Sequence, residues 1–128
     1  MIVKIKIRCI DDVNPLHRVT VKAVKIGAFA IHKEAFKQAG EGLTWKYWNV
    51  THINSGLLIG WFHNIQNAAN YAKWLNEQPV DWRRIGSKKD AKRIGGFRKL
   101  KAEAMQYMYR DPLPDSVALC RSEGWTKL

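Results

Sequence analysis

The run Trp45-Lys46-Tyr47-Trp48-Asn49-Val50-Thr51-His52-Ile53-Asn54-Ser55-Gly56-Leu57-Leu58-Ile59-Gly60-Trp61-Phe62 decides the fold. An aromatic-rich segment ends at His52, an apolar one begins at Leu57, and between them Asn54-Ser55-Gly56 has the composition of a tight reversal. Gly56 accepts positive φ and Asn54 tolerates it. The stretch therefore reads as a β-hairpin over 45–62. Asn64 stands just beyond it as an N-cap, and Ile65, Ala68, Ala69, Ala72 and Leu75 fall on one face of a helix over about 65–77. Gln78-Pro79 closes that helix. Its alanines allow it to lie close against a sheet.

Upstream, residues 2–10 alternate strictly. Val3, Ile5, Ile7 and Cys9 point one way, Lys4, Lys6 and Arg8 the other, which predicts a strand with one dry and one basic face. Turn residues fill Asp11-Asp12-Val13-Asn14-Pro15, and a second alternating run from Arg18 to Ile26 is expected to pair antiparallel with the first. Lys22 on that run would extend the basic face. Gly27 to Ile31 either prolongs this strand or forms a third, and His32 to Ala39 predicts a short helix stopped by Gly40.

Downstream, residues 80–96 lose apolar periodicity and gain charge. Ser87-Lys88-Lys89-Asp90 forms a capping box for one short helical piece, and Gly95-Gly96 breaks it. A last helix is expected from Phe97 to about Arg110, with Phe97, Leu100, Ala104, Met105 and Met108 on one face and Asp111-Pro112 at its end. Val117, Leu119 and Trp125 in the tail offer weak docking groups. The sum is one α+β domain over 1–128, with a small antiparallel sheet of about four strands, a packed helix and a basic C-terminal helix.

At 128 residues the chain is long enough to bury a core without disulfides or metal. Hydrophobic residues make up 46% and there are six Trp, too apolar a composition for a disordered polycation. No uninterrupted apolar run follows Met1, and the long uncharged window from Tyr47 to Ala72 is broken by amides and turn residues, so the reading is a cytoplasmic protein without a membrane span. Cys9 and Cys120 are expected to be buried thiols.

The charge is the chief functional signal. Of 22 Lys and Arg against 11 Asp and Glu, residues 83–101 hold Arg83, Arg84, Lys88, Lys89, Lys92, Arg93, Arg98, Lys99 and Lys101 against Asp90 alone, a balance of +8 within a total of +11. So dense a like-charged cluster repels itself and calls for a polyanionic partner. Phosphate is the natural one, since Lys and Arg displace condensed counterions from nucleic acid with little demand on geometry. The plain alternative is a solvated surface with incidental charge. Lys4, Lys6, Arg8 and Lys22 form a secondary basic face, which equally serves to protect a sheet edge.

Aromatics crowd between Trp45 and Trp82. Most are expected in the core, and Trp82, outside any periodic element and next to Arg83-Arg84, is the one expected to be exposed and to touch a partner. His17, His32, His52 and His63 form no ligand motif: no H-E-x-x-H or C-x-x-C is present, and the proposed hairpin separates His52 from His63. No metal or cofactor is expected. Phosphate-loop, dinucleotide and kinase signatures are absent.

The residues Asn49 to His52, Gly60-Trp61-Phe62 and Ala68-Ala69-Asn70-Tyr71-Ala72 resemble the hairpin-plus-helix of integrase N-terminal DNA-binding domains, which read DNA with the sheet. The likeness covers about a quarter of the chain, and Lys46 is the one cation between Thr44 and Phe62, where such domains place arginines. No residue roles follow from it. The expected function is binding of DNA or RNA through Trp82 and the cations of 83–101, with little base readout. The alternative is a protein-interaction module of the phage or mobile-element type that docks on an acidic protein surface or a nucleoprotein complex and inhibits or regulates a nucleic-acid-handling enzyme. A metal-independent ribonuclease using His32 or His52 with nearby cations stands third.

Overall fold

The computed structural model describes residues 2–8, 10–11, 18–37, 43–93 and 97–108. Its elements are β1 (Ile2–Arg8), β2 (Ile10–Asp11), β3 (Arg18–Ile26), β4 (Phe29–Lys37), β5 (Leu43–His52), β6 (Leu58–Phe62), α1 (Ile65–Glu77), a 3-10 turn (Trp82–Arg84), α2 (Lys88–Lys92) and α3 (Phe97–Met108). Five strands form an antiparallel path in the order β1-β3-β4-β5-β6, and the two-residue β2 pairs parallel with the end of β4. The fold is α+β, as the patterning predicts. Residues 1, 9, 12–17, 38–42, 94–96 and 109–128, which include both cysteines, His17, the Gly95-Gly96 pair and the expected tail contacts, lie outside the described residues.

The hairpin of β5 and β6 stands where its sequence places it, with Gly56 at φ +73° in the turn. The short helix expected over 32–39 does not form. Residues 32–37 belong to β4, which pairs along β5 from Phe29↔His52 to Lys37↔Leu43 across one irregularity near Glu34. Helix propensity is a weak prior, and a full antiparallel ladder with buried Phe29 and Ile31 outweighs it.

Asn64 caps α1 through its side-chain oxygen, which accepts the Asn67 amide at 2.8 Å. The whole predicted stripe of Ile65, Ala68, Ala69, Ala72 and Leu75 is buried, and with Tyr71 it packs on Val24, Phe29, Ile31, Val50 and Phe62 from the sheet. Asn76, in the last turn of α1, holds the β3–β4 turn. Its Oδ1 accepts the Ala28 amide at 3.0 Å and its Nδ2 donates to the Ile26 carbonyl at 2.9 Å.

The position of α3 depends on a missing side chain. A Cβ on Gly60 of β6 would lie 3.1 Å from the Cβ of Ala104, closer than side chains ordinarily pack, so glycine lets the basic helix settle against the sheet edge. Tyr71 ties α1 to α3 by donating its hydroxyl to the Leu100 carbonyl at 2.6 Å. Burial raises the Tyr71 phenol well above its ordinary range, with Glu103 and Tyr107 adding to the effect. The expected apolar stripe of α3 is rotated. Leu100 and Ala104 are buried, but Met105 is 60% exposed because it lies ~140° around the helix from Leu100. Met105 thus shares an outward face with Arg98 and Lys101. The side chains of Phe97 and Met108 lie outside the described residues.

Candidate nucleic-acid interface

Trp82 corrects the sequence reading: it is a core residue, not an exposed contact. It is 6% exposed, its ring meets Phe29 edge-on at 4.8 Å, and its Nε1 donates to the Leu75 carbonyl at 3.0 Å. That Nε1 bond ends the ambiguity of an indole beside two arginines, since a Trp with its polar handle satisfied inside the fold is stable there. Its backbone is clamped as well, because His52 Nε2 donates to the Trp82 carbonyl at 2.9 Å. Asn54 does not adopt positive φ. Its side-chain amide instead donates to the carbonyls of Arg83, at 3.2 Å, and Ile85, at 2.8 Å. The hairpin turn therefore acts as a cradle that presents the 3-10 turn.

From this anchor the cations face water. The Arg83 and Arg84 side chains are 93% and 87% exposed, and Lys89, Arg93, Arg98, Lys99 and Lys101 are exposed too. Lys88 and Lys92 are on α2, and their side chains lie outside the described residues. Among the described residues the ion pairs of this segment all involve Asp81, which meets Arg83 Nε at 3.5 Å and Arg84 Nε at 3.2 Å. Asp90 serves α2. The Ser87 hydroxyl accepts its amide at 3.2 Å and its carboxylate accepts the Gly86 amide at 3.2 Å, close to the expected capping box but shifted by one residue.

Between the end of α1, the 3-10 turn, α2 and α3 lies a groove of about 750 Å³. Half-buried Trp74 lines it together with Arg84, Arg93 and Lys99, and also with Asp81, Asp90 and Glu103. Counting charge in one stretch of sequence overlooks Asp81 and Glu103, which flank that stretch and fold back onto it.

The secondary basic face also has a defined geometry. Lys4 and Lys22 are direct cross-strand partners, Lys6 sits opposite Thr20, and all three lysines are exposed. Arg8 pairs with Arg18 in the backbone register. The like charges of Lys4 and Lys22, placed directly opposite, cost up to about 1 kcal/mol. The dry face is real, with Ile7 and Val21 buried together. This ribbon is at the opposite end of the strand order from β6, where α3 packs.

One exposed aromatic group was not singled out by its sequence. Tyr47, Trp61 and His63 gather with ring centroids 4.8 to 5.7 Å apart, and Trp61 is 38% exposed. The available signal was alternation, since Trp61 neighbours the buried Phe62 on a strand and so points to the other face. Trp61, Asn49 and His32 are successive partners across β6, β5 and β4, and Asn49 Oδ1 is buried with no hydrogen-bond partner among the described residues.

His32 and His52 are structural. His32 Nδ1 donates to the Lys33 carbonyl at 3.0 Å, which leaves Nε2 to accept the Thr51 hydroxyl at 2.7 Å. His52 uses Nε2 as donor to Trp82, so its Nδ1 accepts from Ser55 at 2.7 Å. Each ring is held neutral, and burial pushes both imidazoles below their ordinary value. The unfolded chain then takes up protons below about pH 6.5 that the native state refuses, so stability rises with pH through this range and is lost on acidification. The unfolding free energy from urea titration is expected to fall between pH 7.5 and pH 5.5, by at most about 1.4 kcal/mol per pH unit for each histidine. A His32→Gln, His52→Gln variant should lose this slope, and an unchanged slope would place the protons elsewhere.

No group of three or more His, Cys, Asp or Glu among the described residues is arranged to hold a metal ion, and no described helix is long and apolar enough to cross a membrane. Comparisons with protein-family models, curated proteins and solved structures find no match to this chain.

Proposed function

We propose that this protein binds nucleic acid through phosphate contacts from the basic segment 83–101. The observation that carries the reading is the exposure of every described cation in the segment, of which Arg83 and Arg84 alone have an ion-pair partner among the described residues. The start of α3 adds to it. Arg98 and Lys99 occupy its first turn, with no acidic residue there, and cations are unfavourable at the positive end of a helix dipole. A phosphate at that end relieves the repulsion. Little in the segment reads bases, so the binding is governed by charge.

A second reading, docking on an acidic protein surface, is favoured by Met105, whose exposed thioether lies beside Arg98 and Lys101. Protein interfaces use Met and Arg in this way. The ribonuclease reading loses both its named histidines, whose ring nitrogens are occupied inside the fold.

Titration of labelled single- and double-stranded DNA and RNA between 50 and 200 mM salt tests the main reading. Six phosphate contacts on a duplex make the association constant fall by about 10³ over that range. Absence of binding at about 50 mM salt would overturn it in favour of the protein partner.

A further inference from the structure

The groove beside α3 is not built for a bare polyanion. Arg84, Arg93 and Lys99 share it with Asp81, Asp90 and Glu103, so its formal charge is balanced. Asp81 is held against Arg84, and Asp90 is engaged with the Gly86 amide. Glu103, half-buried on α3, has no ion pair among the described residues, and Gln106 Nε2 approaches it at only 3.4 Å. A carboxylate beside a phosphate site costs affinity unless the ligand brings donors to meet it. Trp74 supplies the remaining component. It stacks nearly parallel to Tyr71, 6.0 Å between centroids and 16° between planes, and also meets Tyr107, so its indole is held in place while remaining part of the groove lining.

Phosphate-binding cations, an acceptor for hydroxyl or amino groups and a fixed aromatic ring are the three recognition elements of a nucleotide. The volume of about 750 Å³ lies within the range of small-molecule sites, roughly 300–1,000 Å³. We infer that the groove seats one nucleotide of a single strand, with its phosphate toward Arg93 and Lys99, its base against Trp74, and its ribose or exocyclic donors toward Glu103. This rests on the phosphate-binding reading and sharpens it to unpaired nucleic acid, because a base stacked and paired in a duplex cannot enter the groove without being flipped out.

The test uses the whole protein and its Glu103→Gln variant, with folding of both checked by thermal melts. Adenosine monophosphate, ribose 5-phosphate, inorganic tripolyphosphate, an octamer of riboadenylate, its deoxy counterpart and a duplex of the same length are titrated while the indole N–H resonance of Trp74 is followed. Adenosine monophosphate and both octamers are expected to shift that resonance upfield through the ring current of a stacked base, and the duplex, tripolyphosphate and ribose 5-phosphate to bind without an upfield shift. Preference for the ribo-octamer would assign the Glu103 contact to the 2′-hydroxyl, and equal affinity to the base. Glu103→Gln should weaken adenosine monophosphate about fivefold or more while leaving tripolyphosphate equal or tighter. If the variant tightens both ligands, or if no nucleotide moves the Trp74 resonance, the groove inference is overturned even where salt-dependent nucleic-acid binding persists. If no nucleic acid binds at low salt, the phosphate-binding reading itself fails.

Discussion

Replacing Arg83, Arg84, Lys88, Lys89, Lys92 and Arg93 by glutamine is expected to reduce nucleic-acid affinity by at least about 100-fold at 100 mM salt, and to flatten the salt dependence. Each phosphate contact contributes close to one unit to the slope of log K against log salt on a duplex, about 0.9, and about 0.7 on a single strand. The variant should fold. The described side chains among the six are exposed, and the one carboxylate they pair with, Asp81, is itself 45% exposed, so the two ion pairs contribute little. Removing like charges also lessens self-repulsion in the folded state. Fluorescence anisotropy at four salt concentrations measures both quantities. Unchanged affinity would move the site elsewhere, and the ribbon of Lys4, Lys6 and Lys22 would be the next to neutralise.

Trp82→Ala is expected to have the largest effect on stability, a loss of about 3–5 kcal/mol, as for other large aromatic truncations in a core. The indole fills space against Phe29 and His52 and bonds to the Leu75 carbonyl, so truncation leaves a cavity and removes one of two hydrogen bonds to that carbonyl, which keeps the Gln78 amide. Affinity for nucleic acid should fall as well. The 3-10 turn that carries Arg83 and Arg84 is held at this residue, and a loosened turn presents its cations less well ordered. Urea unfolding followed by circular dichroism measures the first effect. A loss below 1 kcal/mol would mean that Trp82 is not part of the core. Trp82→Phe separates the two roles, since it retains most of the packing and lacks the indole donor.

The contrast between Trp82 and α1 shows how far the chain was legible by itself. The N-cap, the stripe and the stop of α1 all lie between Asn64 and Pro79, and each behaves as its spacing predicts. The hairpin is equally local, because its turn residues and its two apolar arms are contiguous. Trp82 is not legible in this way because its partners are remote. His52 is thirty residues away and Phe29 is further still, so its neighbours Arg83 and Arg84 dominated the local picture. The same reason accounts for β4, whose helix-favouring composition was overridden by pairing with β5, and for α3, whose buried face was set by Gly60 and Tyr71.

The charge follows the same division. That +8 resides in nineteen residues is a property of the sequence alone, since charge counts need no fold. So are the hairpin, the capped helix after it and the alternation of the first strand, all of which rest on interactions between near neighbours. Tertiary structure decided which groups the basic segment meets. It buried Trp82, turned Asn54 into a clamp on the backbone of Arg83 and Ile85, and brought Trp74, Asp81 and Glu103 to the groove beside Arg93 and Lys99. These juxtapositions join elements distant in sequence, and only the packing of α1 and α3 on the sheet brings them within reach.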